Sequence, residues 1–133
     1  MTAVFADTSY YLALFNEDDV CHEKAEQFSR EQSIPIVLTE FILLELGNAF
    51  CRGQARRRFV DLVADLRGDP LCRIVPVSED LFEAGLRLYA ERHDKEWSLT
   101  DCTSFAVMKK HRLTQALTTD RHFGQAGFKV LLR

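Results

Sequence analysis

Three aspartates stand at the ends of runs that a small protein would bury. Asp7 directly follows the apolar run AVFA, Asp120 follows QALT by one residue, and Asp101 opens the helical run in SLTDCTSFAVMKKH. A fourth acid, Glu45, lies inside TEFILLELGNAF. Carboxylates crowded together repel, and burial raises the cost of ionising them. Hard divalent cations relieve that repulsion, because Mg2+ and Mn2+ prefer oxygen ligands and usually keep several waters. A cation so held can activate a bound water and stabilise charge on the oxygens of a phosphodiester.

Each acid also has a local explanation. Asp7 in D-T-S and Asp120 in TTDR could be turn residues that bond nearby backbone N–H groups. Asp101 fits a capping box with Ser98, S-x-x-D, favoured by the helix dipole. At about 100° per residue, Glu45 sits on the shoulder of an apolar face built by Ile42, Leu46, Ala49 and Phe50. A surface glutamate pairing with Arg52 would satisfy the same spacing.

The elements that must position these acids are short apolar runs alternating with longer helical patterns. Strands are expected at Ala3–Ala6, Ile34–Leu38, Arg73–Val77, Gln115–Thr118 and Lys129–Leu132. Their continuous apolar character is that of strands buried on both faces, although Pro35 and Pro76 would each remove a ladder donor. Helices are expected at His22–Gln32, Glu40–Arg52 with Gly53 as its C′ residue, Ala55–Arg67 stopping at Gly68, Glu79–Arg92 capped by Ser78, and Thr100–His111. The pattern capped by Ser78 presents Leu81, Phe82, Gly85, Leu88 and Tyr89; the one before it buries Phe59, Leu62, Val63 and Leu66. Strands alternating with helices indicate βαβ units and a three-layer α/β/α domain around a mostly parallel five-stranded sheet. In such a sheet ligands bind beyond the carboxyl ends of the strands. Asp7 and Asp120 follow strands, and Asp101 begins a helix, so topology alone sends three distant acids to one edge.

At 133 residues the chain is expected to be a single domain, residues 1–133, large enough to need no staple. Lys and Arg number 17 against 20 Asp and Glu, a net charge of −3, so no global positive field advertises a nucleic acid. Cys21, Cys51, Cys72 and Cys102 lack zinc or redox spacing and read as reduced, buried small hydrophobes of a cytoplasmic protein. The start, MTAVFADTSYY, has no basic leader, and neither a signal peptide nor a membrane span is expected.

VFADTSYYLALFN, TEFILLELGNAF, SLTDCTSFAVMKKH and LTTDRHFGQAGFKVL, in this order and spacing, resemble the PIN domain, particularly the small VapC-type toxins of toxin–antitoxin pairs. The likeness covers essentially the whole chain. It implies an acidic quartet of Asp7, Glu45, Asp101 and Asp120, supported by Ser9 and Thr118. It further implies Mg2+, for which Mn2+ can substitute, and hydrolysis of RNA. Asp7, Asp101 and Asp120 would be direct or water-mediated metal ligands; Glu45 would be a ligand or would orient the attacking water. A cognate antitoxin and a homodimer are implied as partners. His122 reads as a structural or substrate-facing residue rather than a ligand. RNA would have to be guided by local charge, for which Arg52, Arg56, Arg57 and Arg58 are candidates, although a solvated helix face explains them equally. Lys109, Lys110 and Arg112 trail the Asp101 helix and suit its C-terminal dipole.

Other readings stay open. A stand-alone PIN ribonuclease of RNA processing would use the same residues. A non-catalytic, receiver-like metal module would call for paired acids after the first strand and a lysine after a late one. A dehalogenase-like phosphatase would call for D-x-D where this chain has D-T-S.

Overall fold

The computed structural model describes residues 2–133. Five apolar runs lie side by side as β1 (Val4–Ala6), β2 (Ile36–Thr39), β3 (Cys72–Val75), β4 (Gln115–Leu117) and β5 (Lys129–Val130). They form one sheet in the order β3-β2-β1-β4-β5, with every pairing parallel. β1 and β2 are buried along their whole length, whereas edge strand β3 is half-buried with Arg73 exposed. Neither proline interrupts a ladder. Pro35 precedes β2 and its carbonyl accepts the Val4 N–H at 3.0 Å, and Pro76 follows β3.

Helices flank the sheet in an α/β/α arrangement: α1 (Thr8–Phe15), α2 (His22–Glu31), α3 (Glu40–Ala49), α4 (Ala55–Gly68), α5 (Glu79–Glu91), α6 (Leu99–Lys110) and α7 (Arg121–Gln125). α1 and α7 are additions to the sequence reading. α1, TSYYLALF, is apolar on nearly every side and has no amphipathic period to betray it. α7 is five residues long, too short for periodicity to register.

Several expectations are corrected. α3 ends at Ala49 with Phe50 as its C-cap, so Gly53 (φ +56°) turns the chain toward α4 instead of capping α3. Gly68 is the last residue of α4, not the stop beyond it. Phe59, Leu62, Val63 and Leu66 are only half-buried, because α4 covers the outer part of the core. On α5, Leu81, Gly85 and Leu88 face inward, while Phe82 and Tyr89 are exposed. All four cysteines are free, but only Cys102 is buried and Cys51 is exposed, which overturns their uniform reading as buried hydrophobes.

The core gathers Phe5, Leu38, Ile42, Leu46, Met108, Leu117 and Phe123 around the central strands. Strand order carries the functional consequence. The chain lays down β1, β2 and β3 toward one edge, then returns to place β4 and β5 on the other side of β1. The order therefore reverses between β1 and β4, and a crevice opens beyond the carboxyl ends of strands at such a point. α5 and α6 pack closely at Gly85. A Cβ there would lie 2.5 Å from Thr103 Cγ2 and 3.1 Å from its Cα.

Thr103 cannot rotate out of the way freely, because its hydroxyl donates to the Thr100 carbonyl at 2.6 Å. Gly85→Ala should therefore force α5 away from α6 and destabilise the protein by roughly 1–3 kcal/mol. Denaturant melts check this; an unchanged or raised midpoint would show that the helices can separate without loss.

Candidate active site

Asp7 leaves β1 and enters α1 as its N-cap residue, but its side chain makes no capping bond. Its carboxylate faces across to β4 instead. Oδ2 accepts the Ser9 hydroxyl at 2.9 Å and the Thr118 hydroxyl at 2.8 Å. The same two hydroxyls accept backbone N–H groups, Ser9 Oγ from Thr119 and Thr118 Oγ1 from Asp120, both at 3.0 Å. Each hydroxyl has one proton, and these acceptor bonds leave it free to point at Asp7. The Asp7 N–H donates to the Leu117 carbonyl at 3.1 Å, which ties the β1 end to the β4 end. Asp7 is thus not the turn residue that its D-T-S context allowed.

For Asp101 and Asp120 the local explanations hold and do not exclude a site. Asp101 completes the capping box of α6: its N–H donates to Ser98 Oγ at 3.0 Å, and its Oδ2 accepts the Ser98 N–H at 3.3 Å. Asp120 caps α7, with Oδ1 accepting the His122 N–H at 2.9 Å. These bonds fix both carboxylates beside one imidazole. His122 Nδ1 lies 3.3 Å from Asp101 Oδ2 and 3.3 Å from Asp120 Oδ1. One ligand atom from each of Asp101, Asp120 and His122 falls within 4.8 Å of the others. Glu45 is exposed on α3, and its Oε1 accepts the hydroxyl of buried Thr8 at 2.5 Å.

One pocket of about 310 Å3 collects Asp7, Glu45, Asp101 and Asp120 in its lining, together with Thr8, Ser9, Glu96, Ser98 and His122. Thr118 is buried behind the wall as the support of Asp7. The four arginines are not in that lining. Arg52, Arg56, Arg57 and Arg58 are exposed; Arg57 pairs with Asp61, and Arg58 lies 4.8 Å over the Phe15 ring. Sequence reasoning missed Thr8 and Glu96, whereas His122, expected as a structural or substrate-facing residue, lies in the lining against both aspartates. Thr8 was visible as the hydroxyl directly after Asp7, and His122 as the residue two beyond Asp120. Glu96, in an irregular segment, carries no local signal.

The electrostatics are those of crowded acids. Burial pushes the Asp7 carboxyl up to about 6, against the opposing hydroxyl bonds from Thr118 and Ser9, and the charge of Asp101 raises it further. Burial likewise raises Asp101, with the charge of Asp120 as the next cause. The donor set fits a hard divalent cation: the carboxylates supply oxygen ligands, and their mutual repulsion is what such an ion removes.

The sequence matches the PIN domain family over residues 4–129. It is 30% identical over 125 residues to the 23S rRNA-specific endonuclease VapC20 of two Mycobacterium tuberculosis strains, covering 94% of this chain and 95% of the relative. The crystal structure of M. tuberculosis VapC20, described as a Sarcin-Ricin loop cleaving toxin, superposes with a TM-score of 0.83 at 30% identity, over 94% of this chain and 95% of that one. FitAcB from Neisseria gonorrhoeae shares the fold, with a TM-score of 0.68, 23% identity and 96% of each chain covered.

A carboxyl raised in the folded state binds protons that the unfolded chain releases. Its contribution to stability is complete below the unfolded value near 4 and is lost as pH rises through the folded value. Metal-free protein should therefore lose stability between about pH 4 and pH 6, by up to about 3 kcal/mol from Asp7. Asp7→Asn should reduce that slope and melt higher than wild type in EDTA near pH 7. A divalent cation that binds only the native state at about 100 times its Kd should restore about 2.7 kcal/mol to wild type and less to the variant. A variant that melts lower than wild type at every pH, with an equal metal response, would contradict this.

Proposed function

The chain belongs to the PIN domain family, and from that premise we propose that it is a Mg2+- or Mn2+-dependent endoribonuclease, the toxin of a toxin–antitoxin pair. The observation that carries this reading is the pocket at the β1/β4 reversal, where the acids that follow β1 and β4 and those on α3 and α6 line one space.

In this reading Asp7, Asp101 and Asp120 hold the cation, and Glu45 either ligates it or orients the attacking water. When bound, the cation activates water and stabilises charge on the phosphodiester oxygens. Thr8 fixes the Glu45 carboxylate and leaves its second oxygen free to face a water. Ser9 and Thr118 fix Asp7 through its Oδ2. His122 spaces Asp101 from Asp120 by sitting against both. These residues act as a set: the hydroxyls and the imidazole orient groups that would otherwise turn away from one another, as partners behind metal ligands do.

Likeness to VapC20 supports ribosomal RNA as the substrate class, with a large-subunit rRNA hairpin as the first to be tried. We extend the reading to a cognate antitoxin as partner, to action in the cytoplasm, and to one catalytic unit spanning residues 1–133, working as a homodimer. Arg52, Arg56, Arg57 and Arg58 lie outside the acid pocket and would act as outer phosphate contacts. No helix among the described residues is long and apolar enough to cross a membrane.

Purified protein should cleave ribosomal RNA in Mg2+ or Mn2+ and stop in EDTA. Thr118→Val should lower the rate roughly 10–100-fold, and Asp7→Asn should lower it further. Expression of the wild-type chain alone should arrest growth, and Asp7→Asn should relieve the arrest. Cleavage that survives rigorous chelation would remove the metal mechanism. Equal toxicity of wild type and Asp7→Asn would detach toxicity from the site, whereas cleavage without toxicity would favour a processing ribonuclease.

A further inference from the structure

A second groove, larger than the acid pocket, opens beside it. It encloses about 830 Å3 between the end of α5 and the start of α6, and its lining includes Tyr89, His93, Lys95, Glu96 and Ser98. Glu96 and Ser98 also line the acid pocket, so the two spaces share a wall. The size falls within the range of about 300–1,000 Å3 typical of ligand sites.

The floor of this groove is rigid. Trp97 is buried, and its indole N–H donates to Gln125 Oε1 at 3.0 Å, which pins the segment to α7. The Arg92 guanidinium lies 4.9 Å over the Trp97 ring and makes bonds of 3.0 and 3.2 Å to Asp94. Arg92 and Asp94 therefore satisfy each other and hold the turn that presents His93 and Lys95. Tyr89 is 50% exposed at the side of the groove, although it lies on a helix whose other face has core to pack against. An exposed aromatic ring beside a lysine and an imidazole matches the two needs of a single nucleic-acid strand, a stacking surface and a phosphate contact.

We propose that this groove holds the RNA strand immediately adjoining the phosphate to be cut, with Tyr89 stacking on a base and Lys95 contacting a backbone phosphate. The inference rests on the ribonuclease reading and deepens it by assigning a substrate subsite. Glu96 and Ser98 then mark the passage from the subsite to the acids. The negative charge of Glu96 favours a strand that crosses this wall with its sugar or base, and its phosphates lie to either side. Both proposed contacts bind the substrate without touching the reacting bond, so they govern binding more than the chemical step.

Steady-state cleavage of a ribosomal RNA substrate in Mn2+ tests this, with wild type compared to Tyr89→Ala, Lys95→Ala and Lys95→Arg. Thermal melts verify that each variant is folded. Tyr89→Ala and Lys95→Ala should each raise KM roughly tenfold with kcat within about twofold. Lys95→Ala should also flatten the dependence of kcat/KM on log salt by about 0.7, the share of one single-strand phosphate contact. Lys95→Arg should retain both wild-type KM and salt slope. Folded alanine variants with wild-type KM and salt slope would overturn the subsite and leave the ribonuclease reading intact. A fall in kcat at unchanged KM would also overturn it, by showing that the groove acts on the acids and not on the strand. Wild-type protein that cleaves no RNA would remove the ribonuclease reading, and the subsite with it.

Discussion

Asp7 is buried, sits beside other acids, and has one oxygen held by the hydroxyls of Ser9 and Thr118. That arrangement is the constraint on which the rest of the structure turns. Burial disfavours the charge and the two hydroxyl bonds favour it, and the balance leaves the carboxyl raised to about 6. The hydroxyls come from residues 109 apart in sequence, and backbone N–H groups at the end of β4 engage both. The arrangement therefore exists only when β1 and β4 are paired in register. Fold and site are coupled through this one carboxylate.

The all-parallel sheet explains why the other acids arrive at the same place. Each strand ends at the same edge, and the reversal of strand order between β1 and β4 leaves that edge open where Asp7 and Asp120 emerge. α6 begins there too, and its capping box fixes Asp101 with the dipole of a 12-residue helix behind it. Capping and site formation are one interaction here. A carboxylate that stabilises a helix end is held in one orientation, and that orientation points its remaining capacity at His122 and Asp120. The stability gained at the caps offsets part of the repulsion that gathering acids creates.

Asp7, Asp101 and Asp120 are legible in the sequence because their positions relative to apolar runs carry topological meaning. Glu45 is not, since helical periodicity leaves it on a shoulder, and only the family likeness singles it out; its tie to Thr8 crosses between helices and has no local trace. α1 is hidden because a helix apolar all round resembles a continuation of β1, and α7 because five residues carry no period. The strands read in place but one or two residues too long: β1 and β2 begin after the expected Ala3 and Ile34, and β3, β4 and β5 end before the expected Val77, Thr118 and Leu132. Pro35 and Pro76 mark those limits more faithfully than hydrophobicity does. The exposed Cys51 and Tyr89 show the reverse error, in which an apolar residue type is taken for a buried position.

Asp7 is a buried carboxyl whose charge is costly, and the proposed cation would compensate it. Carbon-13 NMR of the aspartate carboxyl groups, assigned through Asp7→Asn and titrated with and without Mg2+, measures this directly. An Asp7 pKa of about 6 is expected in the metal-free protein, with a marked fall when Mg2+ is present. A metal-free value near that of an ordinary aspartate, about 3.9, and unmoved by Mg2+ would contradict it.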